Sequence, residues 1–434
     1  MSEEEKLLAA EMAAVSAAKS TEIVEAASTA GELNAFQNKL DDAADRVLEA
    51  KKVLGSLQAF EVTPEIVADI DRTLVKAGVT IPAADGMDAV EGAEALGITL
   101  MPKDYLFTRL LGCESFLNDF FRDSKEVVQR IGSAVKDIYI GFTESQESLS
   151  KQLDLLENQI LTTPEFNSSE TFILGHRLYN LLKVNGKVDQ NWAGNLSKLA
   201  TTLQGLTGNY YLSSKKDLQT VYSYFGGFSG ATLDQSQERL MMLPVSIPST
   251  PFKECTYPNN SHGGPNLIAK QSVELMGGAY FVDVRQKARP VTASSIDEVK
   301  DFMIRFLEHD HTSFETYSEY TLKDVGFEIK ALSSKEIKAM IRQLRDIMGT
   351  WQKIFEAGEK FRMNDNDYND VVKGLLESEL SDEMKVQLSK WFGSIVRKNQ
   401  MELLTMRAQV STYLTFIING LIDICKDSIK VSAP

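Results

Sequence analysis

The sequence is poor in the side chains on which catalysis and metal binding most often draw. It has four histidines and three cysteines in 434 residues. Cys113, Cys255 and Cys425 lie far apart with no Cys-x-x-Cys among them, which excludes a zinc knuckle or a redox pair of that type. An odd count does not close into a disulfide set, so a reducing compartment is expected. No Ser/His/Asp arrangement offers a triad. There is no block of basic residues, which argues against a strong free-standing nucleic-acid binder. The longest strongly apolar stretch, Tyr413 to Ile422, is interrupted by Thr415, Asn419 and Gly420 and is too short to span a bilayer. The start, Met-Ser-Glu-Glu-Glu, has neither the basic nor the apolar region of a secretory signal. Large aromatics are almost missing from residues 1–94, where Phe36 and Phe60 are the only two.

That same N-terminal segment carries most of the acid. Residues 1–94 hold 19 Asp and Glu against 8 Lys and Arg, a net −11 of the chain's −15. The remaining 340 residues are close to balanced, at −4. An acidic, alanine-rich leader on a core-rich body reads as a separable segment that packs little against the rest.

Apolar periodicity organises the chain. Residues 3–28 and 32–58 read as two helices, the second with Leu33, Phe36, Leu40, Val47, Leu54 and Leu57 at helical spacing. Thr63-Pro64-Glu65 starts a short helix that ends at Gly78. Six Gly and Pro between 78 and 103 mark a linker. The body begins near Asp104 with a long stripe, Leu106, Leu110, Phe116, Phe120, Val127, Ile131, Val135 and Ile138, and a further helix covers 143–161. Helices are expected at 169–184, 190–206 and 214–225. Residues 240–292 are rich in Pro and Gly, and Ala279 to Val284 reads as a strand. Helix returns at 295–309, a strand fits 325–332, and helices follow at 333–358, 367–378 and 381–428, the last with Gly393 and Gly420 as candidate breaks. The expected fold is mainly α, a multi-helix bundle of long amphipathic helices with a small β-containing insertion. Its divisions are 1–94 (acidic leader and linker), 95–239 (helical body), 240–332 (loop-rich insertion with short strands) and 333–434 (second helical part). The stripe Phe116, Phe120, Val127 and Ile131 is expected to pack on Leu403, Met406, Val410, Tyr413 and Ile417.

Motifs that carry chemistry are weak. Glu308-His309-Asp310-His311 is dense in ligand types, but its two imidazoles point apart on a helix and read as a polar helix end. Asp365 to Asn369 resembles half a calcium loop but lacks Gly at the sixth position and Glu at the twelfth, so Asp365 reads as a helix cap. Gly226 to Gly230 and His262-Gly263-Gly264 lack the spacing of a phosphate loop or a nucleophile elbow and read as turns. No catalytic, cofactor-binding or metal residue is assigned. Small-x-Glu tripeptides end at Glu61, Glu91 and Glu94, near the junction of leader and body, where a protease can take an extended strand. Ser124-Lys125-Glu126, Ser145-Gln146-Glu147 and Ala357-Gly358-Glu359 show the same pattern elsewhere.

The acidic helical leader, the small-x-Glu junction and the long aromatic helix that follows resemble the internal head proteins of phiKZ-like giant bacteriophages. The local likeness runs from Gly97-Ile98-Thr99-Leu100 through Cys113-Glu114-Ser115-Phe116-Leu117 to Phe142-Thr143-Glu144-Ser145-Gln146-Glu147-Ser148-Leu149. The resemblance implies a non-enzymatic virion protein of the head interior. It implies a propeptide removed by a prohead protease after Glu61, Glu91 or Glu94, during assembly in the host cytoplasm. The partners implied are other head proteins and packaged DNA without specific binding, with no membrane and no cofactor. The residues themselves leave open a cytosolic helical adaptor that binds through its long helices, and an enzyme with a site in 240–330.

Overall fold

The protein is described by a computed structural model covering residues 3–56, 64–79, 102–167, 169–206, 212–242, 252–255, 267–286, 293, 295–309, 311–316, 327–359 and 365–432. Its frame is three long helices: α1 (Glu3–Ser56), α3 (Pro102–Thr162) and α11 (Asp382–Ser432). Their directions follow from the residues that meet. Lys51 of α1 reaches Glu114 and Asp382, whereas Gln37 reaches Ser124 and Asp41 reaches Arg397. Numbers fall along α1 as they rise along the other two, so α1 runs antiparallel to both, and α3 and α11 run parallel. The hydroxyls of Ser145 and Thr415 share a hydrogen bond at 3.2 Å further along that parallel pair.

The expected pair of N-terminal helices is one 54-residue helix; Gly31 lies inside it with open space around its α-carbon. Likewise α3 runs unbroken through 138–143 and α11 through Gly393 and Gly420. Glycine at 420 makes room for α4, since a Cβ there would stand 2.8 Å from the end of the Leu181 side chain, which would have to shift. α11 is long and apolar enough to cross a membrane by length and composition, but 67% of its most apolar window is buried within the protein. The helix is apolar because it is the core helix of the bundle.

Around the frame pack α2 (Pro64–Lys76), α4 (His176–Leu182), α5 (Trp192–Gly205), α6 (Leu212–Gly226), α7 (Leu233–Leu240), α8 (Ile296–His309), α9 (Ser334–Glu359) and α10 (Asp365–Leu376). α9 shows why the sequence takes this form. Ser333 and Glu336 make a reciprocal capping box, with the Ser333 N–H donating to Glu336 Oε2 at 2.8 Å. Ile337, Met340, Ile341, Leu344, Ile347 and Trp351 then repeat at helical steps and are 3% exposed or less. They enter a central cluster with Leu153 and Leu156 of α3, Leu199 of α5 and Leu421 of α11. A second cluster joins α6, α8, α10 and α11, with Phe392 stacked on Tyr368. Gly226 to Gly230 form the turn that closes α6; Arg239 lies over Gly227 and donates to the carbonyls of Ser223 and Tyr224.

The sheets are small. β4 (Lys253–Cys255), β5 (Leu267–Gln271), β6 (Ala279–Gln286) and β7 (His311–Thr316) form an antiparallel sheet in that order. β8 (Phe327–Lys330) pairs with β1 (Thr171–Leu174). The helix expected over 169–184 is instead β1, then α4, then the hairpin of β2 (Lys183–Val184) and β3 (Lys187–Val188). Its turn is Asn185-Gly186, both at positive φ, which is the geometry that matches strand twist in a two-residue hairpin. The architecture is mainly α.

Candidate functional site

The expectation that residues 1–94 pack little against the body does not hold for the described part of the leader. On α1, Ile23, Ala30, Gln37 and Ala44 recur every seven residues and are all 1% exposed or less. Val47 and Leu54, also seven apart, are buried, and Leu33 and Leu40 extend that second line in partly buried form. On α3, Cys113, Leu117, Phe120, Ser124, Val127, Ile131 and Ala134 alternate steps of four and three, and every one is buried. This is the spacing of coiled-coil seams, in which the apolar lines of neighbouring helices interdigitate. α1 carries alanine along one line, so the backbones approach closely with little apolar mass. α2 adds Ile70 and Leu74, and the cluster closes on Val386 of α11.

Phe120, expected against the middle of α11, lies in this cluster under α1 and α2. Val127 and Ile131 fall in the same extended cluster as Met406, Val410, Tyr413 and Ile417, but the register set by Ser145 and Thr415 puts them level with the stretch from Arg397 to Met401, short of the expected partners. The side chain of Leu403 lies outside the described residues, and Phe116 is partly buried.

The seam contains a buried polar node. Arg397, 3% exposed, donates from Nη2 to Asp41 Oδ2 at 3.0 Å and to Ser394 Oγ at 2.9 Å. Gln37 Nε2 donates to Asp41 Oδ1 at 2.9 Å and to Ser124 Oγ at 2.7 Å. Lys390 Nζ donates to the Asp41 carbonyl at 3.0 Å and pairs with Asp45 at 2.5 Å. Between these groups is a cavity with room for one water-sized molecule, lined by Gln37, Asp41, Ser124, Tyr368, Ser389 and Arg397. Gly393 makes the room: a Cβ there would sit 3.1 Å from Arg397 Nη1 and 3.3 Å from the Tyr368 hydroxyl. Burial pushes the Asp41 carboxyl above its ordinary pKa, against the pull of Arg397, Gln37 and Lys390. Burial also lowers Arg397, and it raises the Tyr368 phenol to about 12.

Ion pairs at two further points fasten the leader. Arg109 of α3 grips Asp71 of α2 through two hydrogen bonds of 2.9 and 2.8 Å. Lys51 pairs with Asp382 at 2.9 Å and Glu114 at 3.6 Å. Burial works against the Lys51 charge, but the hydrogen bond and charge of Asp382, with those of Glu114, hold its pKa above the ordinary value. In three of the four fastenings the leader supplies the acid (Asp41, Asp45, Asp71) and the body supplies the base (Lys390, Arg397, Arg109). Part of the leader's negative charge is therefore matched, not simply solvated.

The candidate cleavage residues Glu61, Glu91 and Glu94 lie outside the described residues, as does His262. In sequence, Glu61 falls between α1 and α2, and Glu91 and Glu94 fall between Val79 and α3. Glu126 and Glu147, which share the tripeptide pattern, lie inside α3, and Glu359 is the last residue of α9. The side chains of Glu308 to His311 also lie outside the described ones, and among the described residues no group of His, Cys, Asp and Glu is placed to hold a metal ion. Asp365 opens α10. The seam itself was not foreseen; its signal was the seven-residue recurrence of small and apolar residues in α1.

No curated protein and no solved structure matches the chain. A sequence model of phiKZ-like phage internal head proteins matches residues 13–427, from within α1 nearly to the end of α11. That match takes in both sides of the seam, and the chain belongs to the phiKZ-like phage internal head proteins.

Proposed function

We propose that this protein is a non-enzymatic structural component of the phage head interior, made in the host cytoplasm as a precursor and shortened at its N-terminal end by a prohead protease. The observation that carries the head-interior reading is the family match over residues 13–427. The fold supports a structural role, because its buried chemistry is spent on helix-to-helix registration in the seam.

Processing is supported by where the small-x-Glu sites fall. A protease takes its substrate as an extended strand, and the interior of a long helix does not present one. In sequence, Glu61, Glu91 and Glu94 lie between the described helices, whereas Glu126 and Glu147 are inside one. Removal of residues 1–94 takes away a net −11 and leaves a body at −4, which reduces repulsion from packaged DNA. Its partners in this reading are other head proteins, the protease and the DNA, the last without sequence-specific contact.

The test is the N-terminal sequence and intact mass of the protein from purified particles. A terminus directly after Glu61, Glu91 or Glu94 is expected. An intact Met1 or Ser2 terminus sinks the processing reading, and absence from isolated heads sinks the head-interior reading.

A further inference from the structure

A leader that is cut off is ordinarily taken to leave, and the seam argues otherwise. The described contacts that hold α1 and α2 to the body are made by residues outside 80–101. They are the interlocked lines of α1 and α3, the closure on Val386, and the ion pairs of Asp41, Asp45, Lys51 and Asp71. The receiving face has a definite chemistry. It is an apolar strip, Cys113, Leu117, Phe120 and Val386, bordered by Arg109, Lys390 and Arg397, with Glu114 and Asp382 at the one end where α1 offers Lys51. An apolar strip with three cations and a pair of acids at one end fits an acidic amphipathic helix that carries one lysine at the matching end, and it suits a nucleic-acid backbone poorly because its centre has no charge. Polar Gln37 on the buried line of α1 fixes the register, since any slip by one turn breaks its hydrogen bond to Ser124 and parts Arg397 from Asp41, leaving the buried guanidinium with Ser394 but no counter-charge.

We propose that the face formed by α3 and α11 is a docking site for an acidic helix of seven-residue spacing, and that α1 with α2 stays seated there as a separate, exchangeable chain once the connection in 80–101 is cut. The inference rests on the processing reading only for the existence of a cut. Cleavage then converts one chain into a two-chain complex, and loss of the leader's charge is a second, dissociative step. The occupant is this protein's own N-terminal fragment.

The experiment uses the full chain with the recognition sequence of a site-specific protease placed within residues 85–94. After cutting, size-exclusion chromatography at physiological ionic strength and micromolar concentration is expected to show both fragments co-eluting. An N-terminal fragment that elutes alone overturns the proposal. A fluorescent copy of residues 1–79 is then added to cut and uncut protein. It is expected to exchange into the cut complex and not into the intact chain, and its Val47→Asp version is expected to bind at least a hundredfold more weakly. Equal binding of the two versions places the contact elsewhere and overturns the proposal, as does displacement of the fragment by an equal concentration of duplex DNA. Because the cut is engineered, these results are independent of the processing reading: a Met1 terminus in particles sinks that reading and leaves this one standing.

Discussion

The pair Asp41–Arg397 allows the sharpest test of the seam. At 3.0 Å and an effective dielectric of about 20, two unit charges attract by roughly 5 kcal/mol. Removing two such ions from water costs several kcal/mol each, so the pair as a whole comes out near zero or unfavourable. The direction of both pKa shifts agrees, since burial outweighs attraction at each partner. Breaking the pair from one side is another matter. Asp41→Leu leaves a guanidinium that cannot lose its proton, 3% exposed, and is expected to cost about 3–5 kcal/mol. Arg397→Met leaves a carboxylate that is able to protonate, so its cost is smaller and shrinks as pH falls. The double variant Asp41→Leu/Arg397→Met is expected to be as stable as the parent or more so. The measurement is a double-mutant cycle from urea unfolding at two pH values. The sign follows from Asp41 itself. Its folded pKa lies above 3.8, so stability is lost as pH rises from 3.8 through the raised value, and the full cost of the buried charge is present at neutral pH. Single variants that each lose under 1 kcal/mol, or a double variant as damaged as the sum of the two, would refute the argument.

Three other outcomes are expected. Deleting residues 1–94 uncovers Cys113, Leu117, Phe120 and Val386, so the shortened chain should melt well below the full chain or aggregate; an unchanged melt refutes the packing of the leader. The Cys113 thiol is buried under the leader and pushed up to about 11, and Cys425 is buried and raised to about 12. A thiol reagent at pH 8 should therefore modify Cys255 first, with Cys113 reacting only when the leader is displaced, as peptide mapping would show. Lys51 is held above its ordinary 10.5 and Asp382 below its ordinary 3.8, so their contribution is present across neutral pH and lost both above the raised lysine value and below the lowered aspartate value. Both are near the surface, so Lys51→Met should cost no more than about 1 kcal/mol at pH 7 in low salt and less in high salt, by urea midpoint.

Much of the helical body was legible in the sequence, for a definite reason. Where a helix buries large apolar residues on one side, as in Ile337 to Trp351, the 3.6-residue period is strong and the caps are explicit. The leader was misjudged because its core was sought in aromatics. Phe36, the one aromatic in described α1, is 51% exposed, whereas the burial is done by alanines and a seven-residue line through Val47 and Leu54. A small residue at a close helix contact leaves almost no trace in a hydrophobicity count. The hairpin at 183–188 was masked in another way: Lys-Val-Asn-Gly-Lys-Val has a turn signal, but its strands are two residues long and α4 precedes them directly. The polar node was not legible at all, since Gln37, Asp41, Ser124 and Arg397 are brought together only when three helices have their final register.

The antiparallel course of α1 also has a mechanical consequence. At about 1.5 Å per residue, α3 is a rod roughly 90 Å long, and α1 lies along it with its start near the far end of α11. Tension between the two chain termini would unzip α1 one turn at a time from its beginning, at low force. Tension applied at the end near Lys51, with the body held at its C-terminus, would load the interlocked lines in shear, so that they fail together at high force. A surrounding that pulls on one end or the other would therefore find the same helix either easily peeled or firmly fixed.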